Sequence, residues 1–262
     1  MTALADDVRL AGELAREAGR LALRMRREGV SAERKTSVSD LVTEADRASE
    51  ELIVSRLAAE RPDDGVLGEE GASRESRSGR SWVIDPVDGT YNFVHGLAWW
   101  CTAIALVDGT PDDGEVLLGA VYHPHDDVLY VGGPGAPTTR NGEPLEPAGD
   151  RRLEESCLTT YLHPPFYTGE VGETFVRVAS HAATLRMLGS GSMDLTAVAQ
   201  GQLDVWCQHS VPAWDRLPGW GLVLGAGGAA RQVSAAGVLW SVAGAPTAVA
   251  DVCEALTGER AG

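Results

Sequence analysis

The run Trp82-Val83-Ile84-Asp85-Pro86-Val87-Asp88-Gly89-Thr90-Tyr91-Asn92-Phe93 carries the most information in this chain. Trp82-Val83-Ile84 reads as a short apolar strand with Asp85 at its end. Proline lacks the N–H that would continue a ladder, so a turn is expected at Pro86, bringing Asp88 close to Asp85. Two carboxylates so placed can share one divalent cation or bridge two. Gly89-Thr90 can open a helix, whose free backbone N–H groups suit a phosphate. The same letters also suit a plain Asp-Pro/Asp-Gly turn between a strand and a helix.

Three further segments bear on that choice. In Leu67-Gly68-Glu69-Glu70-Gly71, adjacent glutamates at a strand end point opposite ways, so one can hold a metal while the other handles a water; an exposed acidic loop would look the same. In Pro212-Ala213-Trp214-Asp215, the aspartate suits a helix N-cap, or a cap that also faces the other carboxylates. The stretch from Lys35 to Asp46 reads as a loop and then a helix start signalled by Thr43 and Asp46.

Around these segments, Leu4, Val8, Ala11, Leu14, Ala18, Leu21 and Met25 describe one face of a long helix that Gly29 ends. A second helix should run from near Thr43 to the turn at 61–65. Strands are expected at 102–107, 116–122 and 127–131. The Gly/Pro-rich stretch 132–147 is expected to separate an N-terminal α+β subdomain, 1–135, from a C-terminal α/β subdomain, 136–262. In the second half, strands at 157–162, 186–188 and 205–207 should alternate with helices at 172–183, 192–200 and 215–225, which argues for layered α and β elements.

The formal net charge is −16, from 38 acidic and 22 basic residues, so nucleic acid and anionic membranes are not expected partners. Cys101, Cys157, Cys207 and Cys253 are scattered without a C-x-x-C pair, which argues against zinc and for small buried hydrophobes. With no apolar signal core and no run long enough to span a membrane, the expected location is the cytoplasm.

Together the segments resemble the inositol monophosphatase family, part of a magnesium-dependent, lithium-sensitive phosphatase superfamily. Asp85 to Phe93 is close to its D-P-[IVL]-D-G-T-x-N-F signature. Gly68-Glu69-Glu70 fits its G-E-E, Asp40-Leu41-Val42-Thr43 with Asp46 its D-x-V-T-x-x-D, and Trp214-Asp215 its W-D. Gly189 to Gln200 and Gly201-Gln202-Leu203-Asp204 fit the helix and turn before it.

The resemblance implies an α+β, layered αβαβα sugar-phosphatase fold, usually a homodimer. It implies two or three Mg2+ per site, held by Glu69, Glu70, Asp85, the carbonyl of Val87, Asp88 and Asp215. The metal-one glutamate is the second of the pair on one alignment and the first on another, so both count as site residues. Glu69, Thr90 and Asp46 are the implied catalytic groups around a metal-activated water, and Lys35 is implied to lie behind the site. Phosphate and alcohol should meet Asp88, Gly89, Thr90, Gly191, Ser192, Gln208 and Asp215.

The implied reaction is hydrolysis of a small phosphorylated metabolite. Inositol monophosphate comes first because Gln208 stands where relatives often carry a glutamate that would favour an amine. Histidinol phosphate comes second, a sugar bisphosphate or phosphoadenosine phosphate after it, and an inactive magnesium-binding regulatory protein last. The chain departs from the family pattern at Leu217-Pro218, where two alanines are usual, with Pro218 expected in the first helical turn, and at Gly225-Ala226 in place of Glu-Ala.

Overall fold

The computed structural model describes residues 2–29, 32–34, 41–146 and 149–258. Lys35 and Asp40 lie outside them. Helix α1 (Thr2–Glu28) buries Leu10, Ala11, Leu14, Ala15, Ala18 and Ala22, a stripe of three-to-four spacing. It ends where Gly29 takes φ 98°, a left-handed conformation that favours glycine. Strands β1 (Ala32–Arg34) and β2 (Leu41–Thr43) form an antiparallel pair. Helix α2 (Glu44–Glu60) then starts on the anticipated capping box, in which Asp46 accepts from the Thr43 N–H at 2.9 Å.

An eight-stranded sheet follows: β3 (Gly65–Gly68), β4 (Ser73–Arg74), β5 (Arg80–Asp88), β6 (Cys101–Asp108), β7 (Glu115–His123), β8 (Val128–Gly133), β9 (Ala136–Arg140) and β10 (Glu143–Pro144), with the short helix α3 (Thr90–Val94) after β5. Its order is β10-β9-β8-β7-β6-β5-β3-β4, antiparallel except for the parallel pair β3 and β5. The strands of this sheet thus run on through the Gly/Pro-rich stretch as far as Pro144.

The remaining strands, β11 (Cys157–Thr159), β12 (Thr184–Arg186), β13 (Val205–His209), β14 (Ala229–Ala235) and β15 (Val238–Gly244), form a second sheet in the order β12-β11-β13-β15-β14. The helices among them are α4 (Gly169–Ala179), α5 (Gly191–Ala199), α6 (Ala213–Gly225) and α7 (Pro246–Thr257).

Layering follows from the pleat. In β6, Ile104 and Leu106 pack with α1 and α2, while Cys101, Ala103, Ala105 and Val107 face α5 and α6. Helices α5 and α6 lie between the two sheets, and α4 and α7 cover the far face of the second, giving the αβαβα order. Helix α6 sits with its backbone directly on β7. A Cβ on Gly119 would run into the Pro218 carbonyl, and one on Gly221 into the backbone at Leu118-Gly119.

Three local expectations need correction. The strand does not break at Asp85-Pro86: β5 continues to Asp88, and its pairing with β6 shifts register between Asp85 and Asp88. A bulge absorbs the proline's missing donor without ending the strand. Pro218 is the sixth residue of α6 rather than part of its first turn. There it removes a backbone hydrogen bond that the close packing on β7 offsets. Asp215 is not the cap, a place held by Pro212, but lies inside the first turn.

Candidate active site

The ends of the two sheets enclose a cleft of about 810 Å³, onto which Glu69, Asp85, Asp88 and Asp215 all open. Asp85, on β5, is 1% exposed. The Val87 N–H donates to its Oδ1 at 3.1 Å. Burial holds its carboxyl well above the usual range, and the charges of Glu69, Asp88 and Asp215, with a hydrogen bond to Glu69, push further the same way. Burial also raises Asp88, but donors at the start of α5 oppose it: the Ser192 N–H reaches Asp88 Oδ2 at 2.5 Å, with help from Ser190 and Gly191.

Glu69 reaches the cleft because the loop after β3 is tied down twice. Its own N–H donates to the Ile84 carbonyl at 3.1 Å. Beneath it, the buried Glu50 carboxylate accepts from the N–H groups of Glu70 and Ala72, both at 2.9 Å. That carboxylate lies against Gly68, where a Cβ would collide with it. Glu50 carries no motif of its own, although its place on the buried face of α2, between Asp46 and Ile53, is a signal that was there to be read.

Asp46 and Thr90 meet behind the carboxylates. Thr90 Oγ1 lies 3.0 Å from the Val87 carbonyl and 3.3 Å from Asp46 Oδ1. Asp46 Oδ2 is held by the Thr43 hydroxyl at 2.5 Å. Burial lifts the Asp46 carboxyl to about 6, against hydrogen bonds from Thr43 and with help from the charge of Glu70. Val87, Gly89, Thr90, Gly191 and Gln208 border the cleft, while Glu70, Asp46 and Ser192 are not among its lining residues.

The sequence reading missed Asn92, Tyr161, His163 and Asp194, which also line the cleft. Asp194, on α5, accepts from Trp99 Nε1 at 2.8 Å and Thr159 Oγ1 at 2.6 Å, tying β11 to the loop that leads into β6, and burial raises it to about 7.

Raised acids have a consequence for stability. They bind the proton more tightly in the folded chain, so folding loses support as pH rises from the unfolded value of 3.8 through about 6 for Asp46 and about 7 for Asp194. The melting temperature in chelator should therefore fall between pH 4 and 7, and less steeply in Asp194→Asn. A wild-type profile flat or rising over that range, or an unaltered slope in the variant, would contradict the assignment.

Among the described residues, no three acidic, histidine or cysteine side chains are gathered into a finished metal cage. The donors are nevertheless all oxygen, they crowd one cleft, and the raised Asp85 marks the negative charge gathered there. That set fits a hard divalent cation such as Mg2+.

The model of the inositol monophosphatase family matches residues 4–254. A "fructose-1,6-bisphosphatase/inositol-1-monophosphatase" of Thermotoga maritima is 32% identical over 204 residues, 78% of this chain and 76% of that protein. An "inositol-1-monophosphatase" of Rhizobium meliloti is 34% identical over 194 residues, 72% of this chain and 71% of that one. The crystal structure of the extragenic suppressor protein SuhB from Bartonella henselae superposes with a TM-score of 0.83 at 26% identity, covering 95% of this chain and 97% of that one. With the layered fold and the acidic cleft, these matches show that the chain belongs to the inositol monophosphatase family.

Proposed function

We propose that the chain is a magnesium-dependent phosphoric monoester hydrolase acting on small phosphorylated metabolites, inositol monophosphate among them. The observation that carries this reading is the convergence of Glu69, Asp85, Asp88 and Asp215 on one cleft beside the start of α3. Glu69, Asp85, Asp88 and Asp215, with the Val87 carbonyl, are the residues that would hold magnesium, and Glu70 and Lys35 are supporting members by resemblance. When bound, magnesium supplies charge that makes water a stronger nucleophile and stabilises the leaving alkoxide.

The chain's own groups do the rest. Glu69 and the Thr90 hydroxyl, backed by Asp46, orient a water for in-line attack and take its proton. Gly89 takes φ 94° and starts α3, and the first N–H groups of that helix, which lack intrahelical acceptors, hold the phosphate oxygens. The start of α5 fixes Asp88, and Gln208 and Gly191 border the alcohol.

The test is phosphate release by the purified chain, with and without magnesium. Chelation should abolish turnover and lithium should inhibit it; full activity in chelator would end the proposal. Thr90→Ala and Glu69→Gln should each lower kcat by roughly a hundredfold with little change in KM. A raised KM with kcat intact would make either residue a binding group.

A homodimer belongs to the same reading. The edge strand β12 leaves Leu185 exposed beside Met187, and light scattering would report the oligomer directly. Among the described residues no helix is long and apolar enough to cross a membrane.

A further inference from the structure

Helix α6 faces two cavities. Asp215 opens on the cleft. Arg216, the next residue and about 100° further round the helix, opens on a second cavity of about 570 Å³. This one lies among the start of α1, the β6–β7 loop, the β8–β9 turn, α6 and β14. Leu4, Val116, Leu117, Pro134, Leu217 and Leu224 give it an apolar wall.

Arg216 is only 5% exposed. Its guanidinium packs over the Trp220 indole, 5.2 Å from the ring centroid, and Trp220 lines the same cavity. Arg216 Nη2 makes two long contacts, to the Pro111 carbonyl at 3.4 Å and the Asp112 carbonyl at 3.5 Å, and Nε has no partner. The charge of Asp112 attracts the guanidinium, but among the described residues no carboxylate accepts a hydrogen bond from it. The buried Trp220 Nε1 also lacks a partner. Burying a cation is costly unless an oxyanion matches it, and an open buried donor forfeits its hydration. A guanidinium beside an indole N–H, each short of an acceptor, suits a carboxylate.

The other polar groups of the lining limit which anion fits. Gln232 Nε2 donates to Ser241 Oγ at 3.3 Å. Asp112, Asp113 and Glu115 are exposed on the β6–β7 loop and at the start of β7. They repel a second negative charge, which disfavours a phosphate dianion. The apolar wall favours a hydrocarbon body over a hydroxylated one.

We propose that this second cavity binds a small organic monocarboxylate with an apolar body, its carboxylate held by Arg216 and Trp220 and its body packed among the leucines of α6, β7 and α1. The site is separate from the acidic cleft, so its test needs no turnover.

Binding is measured by calorimetry on the purified chain, in chelator so that no metal offers anions a place in the cleft. The probes are phenylacetate and hexanoate, with acetate as charge without body, phenylacetamide as body without charge, and inorganic phosphate as the more highly charged anion. Phenylacetate and hexanoate should bind with a Kd of roughly 0.1–1 mM, and the three controls at least about tenfold more weakly. Arg216→Met keeps the length and apolar contacts of the stem, and should weaken phenylacetate at least about tenfold, to the level of phenylacetamide. Trp220→Phe removes the indole N–H and keeps a ring, and should weaken it about threefold. If Arg216→Met fails to fold, Trp220→Phe and the probe series still decide.

The proposal is overturned if neither carboxylate binds, if phenylacetamide binds as tightly as phenylacetate, or if both variants bind as the parent does. Phosphate binding as tightly as phenylacetate, and lost in Arg216→Met, would make the cavity a general anion site and overturn the monocarboxylate. If no probe binds and Arg216→Met changes the mass seen by light scattering, the cavity is a contact between copies of the chain and the proposal falls.

Discussion

Asp88→Asn should lower kcat by at least about a thousandfold, the scale seen when a group that stabilises transition-state charge is removed from a desolvated site. Asparagine keeps the shape, and with its amide oxygen in the place of Asp88 Oδ2 it still accepts from the Ser192 N–H, which reaches that oxygen at 2.5 Å. Only the charge is lost, and that charge is one of those that hold Asp85 far from its usual ionisation. In chelator the variant should therefore melt at the same temperature as the parent or higher, because one buried repulsion has gone. Its stabilisation by magnesium should shrink, since a ligand stabilises only in proportion to its affinity for the folded state. Melting curves across a magnesium titration, run beside turnover, would measure both. A variant that kept parental turnover, or unfolded outright, would remove Asp88 from the metal set.

The second large effect lies far from the cleft. Asp7, on α1, has a side chain only 2% exposed and accepts from Arg61 Nε and Arg80 Nη1, each at 2.7 Å. Arg80 also reaches Asp64 at 2.8 Å, and Asp64 accepts from the Trp82 indole at 2.9 Å. This network pins the first helix to the strand that carries Asp85. Asp7→Ala leaves two arginines facing a buried gap. Their side chains are 22% and 27% exposed, so water relieves part of the cost. The expected loss is about 2–4 kcal/mol in chemical denaturation, below the full range for a wholly buried pair. Removing Arg9 from its exposed pair with Glu13, whose side chains are 57% and 42% exposed, should change stability by no more than about 0.5 kcal/mol. Equal losses in the two variants would deny the network its role.

Much of the site was legible in the sequence because its chemistry is local. Asp85 and Asp88 are three residues apart, at most about 10 Å along the chain, so the motif keeps them close, and the register shift of β5 against β6 between them turns both onto one cleft. Thr43 and Asp46 announce a capping box within a single turn, and the box forms. The repeat of Leu10, Ala11, Leu14 and Ala18 is helical by arithmetic. The helix starts at Thr43, Ser192 and Asp215 were each placed within two residues of the observed first residue, at Glu44, Gly191 and Ala213, because caps and periodicity act over a few residues.

Other features required the tertiary structure. Pro86 was expected to end its strand, yet β5 continues because β6 accepts a register shift there, and that tolerance belongs to the pair of strands. Pro218 is accommodated well inside α6 through contact with Gly119, ninety-nine residues earlier in the chain. Glu50, Asp194 and Trp99 support the cleft through hydrogen bonds spanning twenty to ninety-five residues, and no local pattern marks such partners.

Sequence alone thus determined the family and picked out the four carboxylates that meet in one cleft, because motif spacing and caps are properties of short segments. Only the tertiary structure decided which glutamate of the pair borders the cleft, how Asp46 meets Thr90, and that Tyr161 and His163 border the same cleft. Those depend on where separate segments come to rest against one another, which is set by packing across the two sheets and not by any run of neighbouring residues.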